Sequence, residues 1–129
     1  MKFLVLVLII IALLDGLFLA CRKKQPTDLD QQVLDQLKTA GSDLSSLHDI
    51  EFFLYFPTEA AANEAAIGVK AEGCDVNVKL GADEKNWLCY ATKRMVPNHN
   101  ELANLRRRFN EIAQKGGGEY DGWGTDVLK

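Results

Sequence analysis

The sequence is poor in the residues that build most active centres. It carries two histidines and three cysteines in 129 residues. His48 and His99 lie far apart, and neither has a companion at metal-ligand spacing. His48 opens a strand-like run and His99 sits in a helix's first turn, so both are expected as surface or cap residues. Cys21, Cys74 and Cys89 form no zinc-type or C-x-x-C pattern. No metal site is expected, and Cys74 and Cys89 are expected as small buried hydrophobes. Basic excess is also missing. The formal net charge is -3, and removing the N-terminal segment leaves it there because Lys2 and Asp15 cancel. Nucleic-acid binders usually carry a positive excess, so no direct nucleic-acid contact is expected. Gly116-Gly117-Gly118 has neither the lysine nor the following helix of a phosphate loop. No cofactor and no small-molecule substrate are expected. The three prolines, Pro26, Pro57 and Pro97, each stand at the edge of a periodic segment.

What the chain does have begins with an apolar N-terminus. Phe3 to Leu14 is unbroken apolar, and the run resumes after Asp15-Gly16 as far as Ala20. Residues 1–21 read as a targeting or anchoring segment and stand apart from the fold. Residues 22–27 read as a linker, and 28–129 as one domain. The stretch 3–20 is near the short limit of about 17 residues for a membrane helix. Asp15 costs about 2.5–3.5 kcal/mol at a bilayer centre, but it lies towards one end. Arg22, Lys23 and Lys24 follow the run, and only Lys2 precedes it. The positive-inside rule then puts an anchored domain on the cytoplasmic side of an inner membrane. The alternative is a lipoprotein of the envelope. There Phe18-Leu19-Ala20-Cys21 would be a lipobox and Cys21 the lipidated residue.

The rest alternates between helical and strand periodicity. Asp28 or Thr27 caps a helix whose stripe is Leu29, Val33, Leu34, Leu37 and Ala40, with Asp30 near its positive end. Gly41 stops it. Ile50, Phe52, Leu54 and Phe56 alternate with Asp49, Glu51, Phe53 and Tyr55, a strand with one charged-to-aromatic side. Thr58 caps an alanine-rich helix that Gly73 ends. Cys74 to Leu80 and Trp87 to Val96 are two further strands. Asn98 and Glu101 form a capping-box-like pair for a helix with the stripe Leu102, Leu105, Phe109 and Ile112. Arg106-Arg107-Arg108 beside that stripe reads as a solvated face. The terminal block is the fourth strand. The order is a helix followed by βαββαβ, which predicts an α+β, ferredoxin-like sandwich. Two helices cover one face of the sheet. The other face, with Phe53 and Tyr55, is open or covered by the first helix.

The terminal block, Glu119-Tyr120-Asp121-Gly122-Trp123-Gly124-Thr125-Asp126-Val127, crowds acids, aromatics and glycines together. Its acids could form a general acid/base set, but no second catalytic motif accompanies them. No residue is therefore given a catalytic role. A small hydrolase using Asp121 would need a pocket beside Trp123. Trp123 reads either as a core plug or, with Tyr120, Phe53 and Tyr55, as an interface anchor.

Glu119 to Thr125 resembles the closing signature of the B-type regulators of ribonuclease E activity. Gly41-Ser42-Asp43 is similar to that family's opening motif, Ile50-Glu51 to its first strand, and the helix carrying Ala113-Gln114-Lys115 to its last helix. The resemblance spans about Asp28 to Val127. It implies a small non-catalytic protein that binds ribonuclease E and lowers RNA-degrading activity. By the same resemblance, Tyr120, Asp121, Gly122, Trp123, Gly124 and Thr125 are the signature positions. The hydrophobic N-terminus and the lack of an acidic tail beyond Lys129 depart from the family pattern. The resulting expectation is a membrane-anchored regulator with ribonuclease E as partner. An envelope interaction module is the alternative.

Overall fold

The computed structural model describes residues 28–128, an α+β arrangement of three helices and one four-stranded sheet. The apolar segment 3–20 and Cys21 lie outside the described residues. Among the described residues, no helix is long and apolar enough to cross a membrane.

Helix α1 runs Leu29–Thr39, with Asp28 as its cap accepting from the Gln31 N–H at 3.0 Å. Strand β1 is His48–Phe56 and helix α2 is Glu59–Ala71. Thr58 caps α2 by accepting from the Ala61 N–H at 3.1 Å. Strands β2, Asp75–Leu80, and β3, Trp87–Met95, follow. Helix α3, His99–Lys115, is capped by Asn98, and β4 is Glu119–Gly124. The βαββαβ order expected after the first helix is present. The strands pair antiparallel throughout, in the order β2-β3-β1-β4.

Alternation in β1 decides what goes inside. Ile50, Phe52, Leu54 and Phe56 are fully buried. Beneath them lie the small face of α2 (Ala62, Ala65, Ala66, Val69) and the stripe of α3 (Leu102, Leu105, Phe109). Phe109 sits between two rings, edge-on to Phe52 at 5.1 Å and to Tyr120 at 5.6 Å. Cys74 and Cys89 are buried and free, as expected, and burial pushes both thiols up to about 11. That keeps them as inert thiols.

One feature differs from the expected pattern. The buried residues of α1 are Asp30, Leu34 and Leu37, whereas Ala40 is exposed. The helix is rotated to bring a carboxylate inward. It also packs against α3 and leaves the second face of the sheet uncovered by any described helix. The turn into β4 requires Gly118 for a close approach. A Cβ there would collide with the Tyr55 carbonyl oxygen and the Phe56 ring.

Candidate functional site

The terminal block is split by the pleat of β4 into two surfaces with different jobs. Tyr120 and Trp123 point inward and are 8% and 2% exposed. Phe52 faces Trp123 and Leu54 faces Tyr120 across the β1–β4 ladder, so two residues, Asp121 and Gly122, oppose Phe53 alone. This is a β-bulge. Gly122 takes a φ of 97°, a backbone state open to glycine at little cost. The bulge turns Asp121 to the outer face while keeping both aromatics inside. Asp121 and Trp123 thus lie on opposite sides of the sheet and do not line one pocket, contrary to what a hydrolase reading needs.

The inner surface is a polar clamp. The Trp123 indole N–H donates to Asp30 Oδ1 at 3.0 Å. Arg106 grips the same carboxylate with two bonds, Nε to Oδ2 at 2.9 Å and Nη2 to Oδ1 at 2.8 Å. That bidentate bond raises the Arg106 pKa above its ordinary value. Arg106 is therefore a paired, part-buried residue, against the expectation for the arginine run, whereas Arg107 and Arg108 are exposed as expected. Arg107 contacts Asn104, and Arg108 reaches Glu72 at 2.7 Å. Arg106 also lies over the Tyr120 ring, 5.7 Å from its centroid.

Tyr120 has a flaw in this setting. Its hydroxyl is buried and finds no partner among the described residues. An unpaired buried hydroxyl costs about 1–3 kcal/mol. Tyr120→Phe is accordingly expected to leave the melting temperature unchanged or to raise it, as thermal unfolding followed by circular dichroism would show. A fall would mean the hydroxyl is bonded after all.

A second clamp ties the C-terminal tail to β1 and to the loop between α1 and β1. Thr125, 2% exposed, donates from its hydroxyl to the Asp49 carbonyl at 2.9 Å. The Leu128 N–H donates to Ser42 Oγ at 2.9 Å, and the Asp43 N–H donates back to the Leu128 carbonyl at 2.6 Å. His48, expected at the surface, is fully buried here. Its Nδ1 donates to the Ser46 carbonyl, and its Nε2 lies 2.8 Å from Ser42 Oγ. His99 stays at the surface, with Nε2 2.7 Å from Asp28 Oδ2.

The outer surface is the open face of the sheet. Phe53 and Tyr55 stand there as expected. Tyr90 is opposite Phe53, with ring centroids 5.7 Å apart, and Leu88 is opposite Tyr55. Phe53 is only 8% exposed, so Tyr55 and Tyr90 offer the accessible rings. Charge surrounds them. Asp49, Glu51 and Asp75 lie along one end of the face, and Glu119 and Asp121 lie beside Tyr55. Asp126 adds its charge near Tyr90. On the strands and tail of this face six acids stand against two bases, Lys79 and Arg94, and the 81–86 loop beside Tyr55 adds Asp83 and Lys85. Arg94 pairs with Asp49 at 3.3 Å, and Lys79 lies 5.0 Å from the Tyr90 centroid. The Tyr90 hydroxyl donates to Glu51. Burial and Glu51 push Tyr90 up to about 12. Burial, then Glu119, raises the pKa of Asp121. Among the described residues, Glu51, Glu119, Asp121 and Asp126 join no ion pair.

This closing strand and its partner loop are the segments on which the resemblance rests. The family model described as regulator of ribonuclease activity B matches residues 27–125. The chain belongs to that family. No curated protein matches the chain. The family assignment gives the two clamps a setting, since both lie within or beside the matched region. Ser42 and Asp43 of the opening motif hold the segment that follows the signature. Asp30, two residues into the domain, holds Trp123. The sequence reading missed Asp30, Arg106, Ser42 and His48 as a set. Only the placement of a carboxylate one step off an apolar stripe hinted at the first pair.

Proposed function

We propose that this chain is a non-catalytic regulator that binds ribonuclease E and changes its RNA-degrading activity. The observation that carries this reading is the family match over residues 27–125, because that family regulates ribonuclease activity. Antiparallel β2-β3-β1-β4 pairing, with both crossover helices beneath one face, supports the ferredoxin-like reading of the fold. This scaffold leaves a whole sheet face for a partner. Asp121 and Trp123 lie on opposite sides of the sheet, which favours binding over hydrolysis.

The N-terminal segment adds a place. An apolar run followed by Arg22, Lys23 and Lys24 favours an inner-membrane anchor with the domain in the cytoplasm. There it can meet a membrane-associated ribonuclease. Phe18-Leu19-Ala20-Cys21 favours the second reading, a lipid-anchored envelope module with another partner. The full chain, solubilised in detergent and used as bait on bacterial membranes, is expected to capture ribonuclease E. A clean miss, in a preparation where a soluble family member captures it, overturns the reading. A reporter fused after Lys129 is expected to be active in the cytoplasm. An exported reporter moves the protein to the envelope and removes ribonuclease E from reach.

A further inference from the structure

We propose that the open face of the sheet is the docking surface for an extended, arginine- or lysine-bearing segment of the partner ribonuclease. The inference rests on the functional reading above and adds where, and through what chemistry, the partner is held. Three observations carry it. No described helix packs on this face, whereas both crossover helices pack on the opposite one, and only the 81–86 loop comes close to Tyr55. Its centre offers the flat rings of Tyr55 and Tyr90, which suit the aliphatic stems and cationic heads of arginine and lysine. The chain's own Lys79 already lies over Tyr90 in this way, 5.0 Å from the centroid. The surrounding charge is also one-sided, with Glu51, Asp121 and Asp126 in no ion pair among the described residues.

Complementarity of charge selects the occupant. A cation brought beside Asp121 offsets both its burial and the repulsion from Glu119. A nucleic-acid strand would bring phosphates to an acidic surface and be repelled, even though a bare sheet with aromatics can stack bases on other scaffolds. An acidic peptide would be repelled likewise.

The test uses the full chain in detergent and three labelled probes followed by fluorescence anisotropy. These are a synthetic peptide alternating arginine with threonine, its counterpart with glutamate for arginine, and a single-stranded RNA oligonucleotide. The arginine peptide alone is expected to bind, and added salt is expected to weaken it. The double variant Asp121→Asn, Asp126→Asn removes two acids without changing shape. It is expected to weaken the arginine peptide by about tenfold, the size of two rim charge contacts together. The control double variant Glu64→Gln, Glu111→Gln removes the same charge from the exposed helical layer and is expected to change nothing. Equal weakening by both variants, no binding of the arginine peptide, or preferential binding of RNA overturns the proposal. Capture of ribonuclease E by the same proteins separates the two ideas. Undiminished capture by Asp121→Asn, Asp126→Asn overturns the docking surface and leaves the regulator reading standing. No capture by the unaltered chain, with peptide binding intact, overturns the choice of partner.

Discussion

Trp123→Ala is expected to unfold the domain or to lower its stability by about 3–5 kcal/mol, the cost of truncating a buried aromatic. The indole is 2% exposed and faces Phe52 across the ladder. Its removal opens a cavity between β4, β1 and the helix layer, and close-packed neighbours refill such space only in part. It also strips one donor from the Asp30 carboxylate. A domain of this size has a total stability of about 5–15 kcal/mol, so the loss is a large share of the whole. Urea unfolding followed by circular dichroism measures it. Trp123→Phe separates the two contributions, because it keeps most of the packing and loses only the bond to Asp30. Its expected cost is about 1.5–3 kcal/mol, typical of a hydrogen bond to a charged group. If Trp123→Ala melts like the unaltered protein, the indole is not part of the core. Loss of partner binding in this variant says nothing about contact, because lost stability alone accounts for it. The outer residues Asp121 and Tyr55 are the positions that test binding.

The elements with strong period were legible because their cause is local. β1 alternates at every step, and the sequence reading set its limits at His48 and Phe56, as in the fold. Thr58 and Asn98 cap their helices with the bonds their side chains suggest. Strand order followed from element order, since right-handed crossovers leave few alternatives. What was not legible depends on pairing across the chain. Asp30 meets Arg106 across 76 positions and Trp123 across 93. No window of local sequence joins them. A carboxylate one step off an apolar stripe looks like a helix-dipole residue, and an arginine in a triple run looks solvated. Asp30 does stand in the first turn of its helix and Arg107 and Arg108 are exposed, but because α1 lies on α3 Asp30 also turns inward and pairs with Arg106. The same holds for His48, whose burial depends on Ser42 and the tail at Leu128. The terminal block was half legible. Its strand was clear, but the bulge that sends Asp121 outward and Trp123 inward depends on register with β1.

Arg106→Met is expected to cost about 3–5 kcal/mol, although methionine packs well against Tyr120 and α1. The cause is the charge left behind. The Asp30 side chain is 3% exposed, against 28% for Arg106, so removing the arginine leaves a carboxylate that water barely reaches. Breaking a buried pair from one side has this cost because the remaining ion loses its compensation. Arg106→Lys keeps the positive charge but loses the two-pronged grip, and an intermediate loss is expected. The decisive comparison is a double-mutant cycle with Asp30→Asn. Asparagine keeps an acceptor for the Trp123 indole and carries no charge to strand. Arg106→Met in the Asp30→Asn background is therefore expected to cost much less than Arg106→Met alone, giving a coupling within the range of about 0.5–3 kcal/mol seen for contacting residues. Strict additivity of the two changes in urea unfolding would show that the pair does not act as a unit. The coupling also bears on how the domain is held together. Asp30 is the buried polar residue of α1, and its three side-chain bonds reach both α3 and β4. Without the two Arg106 bonds, α1 keeps the Trp123–Asp30 bond, the Asp28–His99 contact at its cap and the packing of Val33, Leu34 and Leu37. Hydrogen exchange in Arg106→Met should then show α1 opening before β1, whose full burial does not depend on the clamp. Protection lost evenly across both elements would instead mean that α1 and the sheet unfold as one cooperative body.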